Sequence, residues 1–193
     1  MIIGITGYIG VGKTTATRIL AEKGLDVIDV DKLGHDLLKD KEIKNKIIGT
    51  FGESVTDRKL EIDRKKLGRL VFSNQEYLKT LNKIIHSKLK EMLYGMLKQA
   101  ASTKKSIIID VALLNEFGLE EFCDYVVLVK ADLEKVYQRM VKGYDKKHIL
   151  IIMNNQKMPK DPDFIIDNNG SFEEFNREIE RIWKCIAKDA AQC

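Results

Sequence analysis

The segment Gly7-Tyr8-Ile9-Gly10-Val11-Gly12-Lys13-Thr14 fits G-x(4)-G-K-[ST] at every fixed position. This pattern constrains the fold strongly, because it works only as the turn between a buried strand and the helix that follows it. Both flanks are present. Ile2-Ile3-Gly4-Ile5-Thr6 reads as a buried strand, and residues 14–23 read as a helix closed by Gly24. Gly7, Gly10 and Gly12 admit backbone conformations that turn successive N–H groups inward, so loop and helix N-terminus form a nest of partial positive charge for a polyphosphate. Lys13 adds a full charge at the β and γ phosphates, and Thr14 offers a hydroxyl to the magnesium ion that accompanies them.

Four more apolar segments read as buried parallel strands, at residues 27–31, 106–110, 125–129 and 164–167. Each lies between helix-like stretches, which predicts a doubly wound α/β sheet whose ligands sit beyond the carboxyl ends of the strands. Ser73-Asn74-Gln75-Glu76 reads as a capping box opening a long helix toward Lys98, and Ser171-Phe172-Glu173-Glu174 as one opening the last helix. Leu78, Leu81, Ile85, Leu89, Met92 and Met96 form a stripe on the first; Phe172, Phe175, Ile179, Ile182 and Ile186 form one on the second. Both stripes are expected in the core.

Composition narrows the class. A chain of 193 residues can bury its core as one domain carrying insertions. No apolar run approaches the ~20 residues that span a bilayer, and the glycine-rich loop starts too early for a cleavable signal. Cys123, Cys185 and Cys193 lie far apart, as in a reduced cytosol, so a soluble cytoplasmic protein without a membrane partner is expected. Residues 32–105 hold 18 Lys and Arg against 9 Asp and Glu, whereas the remainder hold 15 against 20. A basic, mainly helical insertion between the second and third strands suits a phosphate-bearing substrate, although ordinary solvated helices carry such an excess too. Aromatic residues do not interleave with the lysines, so nucleic acid is not an expected partner. A GTPase is disfavoured as well, because neither Asn45-Lys46-Ile47-Ile48 nor Asn82-Lys83-Ile84-Ile85 completes N-K-x-D.

Val27-Ile28-Asp29-Val30-Asp31 carries the second chemical signal. Read as a strand, it places Asp29 and Asp31 on one side, with Asp31 at the carboxyl end where phosphates belong. A carboxylate there can accept the proton of an attacking hydroxyl, help hold magnesium, or cap the next helix.

Thr6-Gly7-Tyr8-Ile9-Gly10-Val11-Gly12-Lys13-Thr14-Thr15, Val27-Ile28-Asp29-Val30-Asp31, Asp110-Val111-Ala112-Leu113-Leu114 and Asp163-Phe164-Ile165-Ile166-Asp167-Asn168-Asn169-Gly170 resemble, in order and spacing, the dephospho-CoA kinase family. Asp63-Arg64-Lys65-Lys66-Leu67, then Leu70-Val71-Phe72, then Leu81-Asn82-Lys83-Ile84-Ile85-His86 are similar to that family's substrate-binding insertion. The resemblance implies a three-layer P-loop NTPase core of about five parallel strands, like that of nucleoside-monophosphate kinases. It adds a helical acceptor-binding insertion at about 32–105 and a small lid at about 139–157, all within one domain. The implied reaction is ATP-dependent phosphorylation of the ribose 3′-hydroxyl of dephospho-CoA, the last step in making coenzyme A, with magnesium. By position, Asp31 would be the base, or with Thr14 a magnesium ligand. Gly7 and Gly10, Val11, Gly12, Lys13, Thr14 and Thr15 would hold the ATP phosphates, and Arg64 and His86 would lie on the acceptor side. Asn168, Asn169 and Gly170 would approach the adenine.

Three positions depart from the family pattern. His86 precedes Ser87 where the family has proline, and Ala112 stands where proline is usual. Beside it, Asp110 is a candidate second carboxylate near magnesium, a ligand-side acceptor, or a group that closes the strand end. In the lid, Arg139 is followed four residues later by Gly143 in place of a second arginine. Charge stabilisation there is expected to fall to Arg139 with Lys142, Lys146 or Lys147, although lysine lacks arginine's planar fork. A kinase of another nucleotide or small alcohol is the alternative at this level, and a homo-oligomer is neither required nor excluded.

Overall fold

A computed structural model describes residues 1–103, 105–140, 146–154 and 156–190, with the backbone alone at Phe72 and His148. The chain begins with β1 (Ile2–Thr6), α1 (Lys13–Ala21), β2 (Asp26–Asp29) and α2 (Val30–Leu37). Helices α3 (Lys41–Phe51), α4 (Arg64–Phe72) and α5 (Gln75–Ser102) follow. Then come β3 (Ile107–Asp110), α6 (Leu114–Phe117), β4 (Tyr125–Lys130), α7 (Leu133–Met140), α8 (Lys146–Asn154), β5 (Phe164–Asp167) and α9 (Phe172–Ala190). The five strands form one parallel sheet in the order β2-β3-β1-β4-β5. The α/β class with five parallel strands is as the sequence predicts.

Two compact units divide the chain: Met1–Val30 with Leu97–Cys193, and Asp31–Met96. In the first, β1 is the middle strand and is buried at all five positions, as a parallel strand covered on both faces must be. One face packs Ile3, Ile5, Ile19 and Leu20 with Val136, Ile149, Phe175, Ile179, Ile182 and Ile186 from α7, α8 and α9. On the other, a Cβ at Gly4 would come within 2.8 Å of Cys123 Sγ and 3.2 Å of Leu114 Cδ1. The phosphate loop therefore leaves the centre of a rigid sheet. Among the described residues no helix is long and apolar enough to cross a membrane.

In the second unit, Asp40 caps α3 by accepting from the N–H groups of Glu42 and Ile43, both at 3.0 Å. Asp63 caps α4 in the same way, through Lys65 at 2.9 Å and Lys66 at 3.1 Å. These aspartates satisfy helix donors that have no partner within the helix.

Several boundaries differ from the sequence reading. β2 stops at Asp29, and Val30 already begins α2, so Asp31 sits in the first turn of a helix and the strand alternation does not place it. A carboxylate there is favoured by the helix N-terminus, and five residues of mixed pattern cannot distinguish that turn from a strand end. The cap of α5 is Asn74, whose Oδ1 accepts from Glu76 N at 2.9 Å; Ser73 Oγ instead donates back to Leu70 O. The capping box at Ser171 and Glu174 is present in both directions, at 2.7 and 3.2 Å. On α5 the buried positions are Leu81, Leu89, Leu93, Leu97 and Ala100, while Met96 is exposed; on α9, Phe172 is exposed.

Candidate active site

Gly12 caps α1 in the left-handed region at φ 105°, and a Cβ there would run into Asn168 Nδ2. Gly10 stands at φ 76°, where a Cβ would lie 2.6 Å from Met140 Sδ and 2.8 Å from Val136 Cγ1. Both glycines are thus required twice, by conformation and by the close approach of α7 and of the segment after β5. Thr15 and Ala16 donate their N–H groups to Gly12 O, each at 3.1 Å, which closes the first turn. Lys13 Nζ arches over the loop and donates to Gly7 O at 2.9 Å and Tyr8 O at 3.1 Å. Thr14 is exposed in the first turn. A curled loop, a helix N-terminus and an ammonium held over both form a receptor for a polyphosphate.

The loop is braced from outside. Asn168 Nδ2 donates to Val11 O at 2.7 Å, and Arg139 Nη2 donates to Asn168 O at 2.7 Å and to its Oδ1 at 3.3 Å. Gln156 Oε1 accepts from Ile9 N at 3.2 Å. Asn169 turns its amide oxygen to Asp132 N at 2.6 Å and its amide nitrogen to Asp167 Oδ2 at 3.1 Å, while Gly170 lies against the Glu174 carboxylate. The side chains of Asn168 and Asn169 are therefore engaged within the protein.

At the carboxyl edge of β3, Asp110 Oδ2 accepts from Thr17 Oγ1 of α1 at 3.0 Å, and Asp110 pairs in register with Ile5 and Asp29. Thr6 Oγ1 donates to Ala112 O at 3.4 Å. Of the cations expected to assist Arg139, Lys146 Nζ lies 3.6 Å from Glu134 Oε1 and 4.7 Å from the centre of the Tyr137 ring, so α7 holds it. Lys147 is exposed, and Lys142 and Gly143 lie outside the described residues.

In the second unit Asp31 and His35 stand four residues apart on α2, one above the other on a helix face. Arg64, the first residue of α4, brings Nη2 to 2.8 Å from His35 Nε2. A guanidinium only donates, so the imidazole nitrogen accepts. His86 is half-buried on α5.

A sequence profile described as dephospho-CoA kinase matches residues 1–174. The chain belongs to the dephospho-CoA kinase family. A dephospho-CoA kinase of Fusobacterium nucleatum is 40% identical over 192 residues, covering 96% of this chain and 98% of its own. One of Aquifex aeolicus is 32% identical over 193 residues, covering 97% and 98%. Among solved structures, a Thermus thermophilus protein superposes with a TM-score of 0.75 at 31% identity, covering 98% of this chain and 97% of that one. The dephospho-CoA kinase of Campylobacter jejuni gives 0.74 at 24% identity, covering 98% of both chains, and shares the fold. This chain is a kinase of that family.

Three residues bonded to candidate groups escaped the sequence reading. His35 had a usable signal, its i,i+4 spacing from Asp31. Gln156 and Thr17 had none, because a single polar residue far along the chain announces no partner.

Proposed function

We propose that this chain transfers the γ-phosphoryl group of ATP to the 3′-hydroxyl of dephospho-CoA, giving coenzyme A and ADP in the cytoplasm. The observation that carries the reading is the Lys13-capped loop at the carboxyl end of the central strand, in a chain that matches the dephospho-CoA kinase family over residues 1–174. N–H groups of the loop and the first turn of α1 bind the β and γ phosphates, and Lys13 leaves its two carbonyl partners for them. Thr14 fits magnesium, because that ion keeps most of its shell as water and phosphate and asks only one or two oxygens of the protein. When bound, it would neutralise phosphate charge, held by Thr14 and in one version also by Asp31.

Asp31 orients the acceptor hydroxyl and takes its proton as the oxygen attacks phosphorus in line. Arg64, steadied by His35, and His86 hold the anionic acceptor. Gly170 is the member of the 168–170 segment that meets the nucleoside, since Asn168 is bonded elsewhere through backbone and side chain and Asn169 through its N–H and its amide. Arg139 supplies positive charge toward the moving phosphoryl group, and Lys146, held by Glu134, is a lesser contributor. Asp110 holds α1 to the strand edge through Thr17.

The test is coupled detection of ADP with magnesium and ATP, with and without dephospho-CoA. ADP release that depends on dephospho-CoA supports the assignment, and release at the same rate without it would make the chain an ATPase. Asp31→Asn is expected to lower kcat by ~10² or more while ATP still binds. Collapse of ATP affinity in that variant would make Asp31 a magnesium ligand first.

A further inference from the structure

We propose that Asn168 is a positioning residue that aims the Gly12 N–H into the phosphate nest and holds Arg139 in register with it. The inference rests on the loop binding a nucleoside triphosphate, and it gives Asn168 a task other than contact with the base.

Asn168 follows the last residue of β5, and only 9% of its surface is exposed. All four of its polar atoms have partners. Its N donates to Lys130 O at 2.8 Å and continues the β4–β5 ladder, while its O accepts from Arg139 Nη2 at 2.7 Å. Its Oδ1 accepts from the same nitrogen at 3.3 Å, and its Nδ2 donates to Val11 O at 2.7 Å. The backbone is fixed by the sheet, so the amide is presented to the loop from a rigid support.

The consequence lies in one peptide unit. No described peptide is cis, and in a trans peptide the carbonyl and the following N–H point in opposite directions. With the Val11 carbonyl drawn to Asn168, the Gly12 N–H is turned to the opposite side, the concave face of the loop. Val11 cannot rotate away, because its side chain is fully buried, and Gly12 cannot carry a side chain, because a Cβ would strike Asn168 Nδ2. Loop, amide and guanidinium are locked together.

The side chain must donate at one end and accept at the other, and asparagine does both in one planar group. Aspartate keeps the shape and the partner for Arg139, but sets an oxygen against the Val11 carbonyl. Alanine removes both contacts.

The experiment compares the full chain with Asn168→Asp and Asn168→Ala, measuring binding of ATP and of adenosine by calorimetry together with the melting temperature. If Asn168 acts through the Gly12 N–H, the loss falls on the phosphates. ATP affinity drops by about tenfold or more, as expected when a hydrogen bond to a charged group is misaimed, while adenosine affinity holds. Asn168→Ala combined with Arg139→Ala is then less than additive on ATP affinity. Equal losses for ATP and adenosine would make Asn168 a base contact and overturn the proposal. A lower melting temperature with unchanged ATP affinity would overturn it as well, leaving a purely structural amide. Asn168→Ser, whose hydroxyl still donates, substitutes if either variant fails to fold and is expected to lose less than alanine. A parent chain that does not bind ATP at all would overturn the nucleotide reading itself, an outcome separate from these.

Discussion

The N–H of Ile9 donates to Gln156 Oε1 across 3.2 Å, joining two residues 147 positions apart. Because the Tyr8–Ile9 peptide is trans, this bond turns the Tyr8 carbonyl the other way, and there Lys13 Nζ takes it at 3.1 Å. Gln156 therefore helps to set where the loop lysine waits. Gln156→Leu, which keeps the bulk and removes the acceptor, is expected to raise KM for ATP by about fivefold, the worth of one ordinary hydrogen bond. Steady-state kinetics with a melting curve check it, and an unchanged KM would show that the loop holds its shape without this contact.

Gly12→Ala meets two obstacles, a φ of 105° and the amide nitrogen of Asn168. Backbone strain of this kind costs ~1–3 kcal/mol, and relief by moving the loop would spoil the nest. The variant is expected to melt several degrees lower and to lose measurable ATP binding. A variant that melts and binds ATP like the parent would contradict the described loop.

His35→Ala removes the acceptor for Arg64 at 2.8 Å and leaves the phosphate loop untouched. KM for dephospho-CoA is expected to rise about three- to tenfold, with KM for ATP unchanged, because one guanidinium loses its orientation. Equal changes in both constants would refute an acceptor-side role.

Cys123 lies against Gly4 of β1, and burial pushes its thiol from the ordinary 9.0 up to about 12, helped by Asp124 and Glu120. At pH 8 it is almost wholly protonated and inert, whereas Cys185 is exposed on α9. In a Cys193→Ser background, iodoacetamide at pH 8 should label Cys185 and spare Cys123, as read by peptide mass. A raised folded pKa means that the stability from burying the neutral thiol is full below about 9 and is lost as pH rises toward 12. Labelling of Cys123 should accordingly begin only with unfolding or strong alkali.

Much of the fold was legible because its signals are local. The ranges read for β1 and β5, residues 2–6 and 164–167, are those observed, and the glycine-rich loop names its own flanks. The order of strands was not legible, since periodicity says nothing about neighbours. Asp31 was assigned to a strand because alternation and a first helical turn look alike over five residues. The α5 stripe shifted from Met92 and Met96 to Leu93 and Leu97, as both sets keep helical spacing and only packing chooses between them. Asn168 was found by its motif and read as facing the adenine; its amide faces the loop, a matter of rotamer that sequence does not carry.

The most direct measurement offers the chain ATP and magnesium with dephospho-CoA, AMP, adenosine and phosphopantetheine in one reaction, and identifies products by mass and fragmentation. One added phosphate is expected on dephospho-CoA alone, placed on the ribose 3′-oxygen. Phosphorylation of a different acceptor, or of the pantetheine arm, would contradict it.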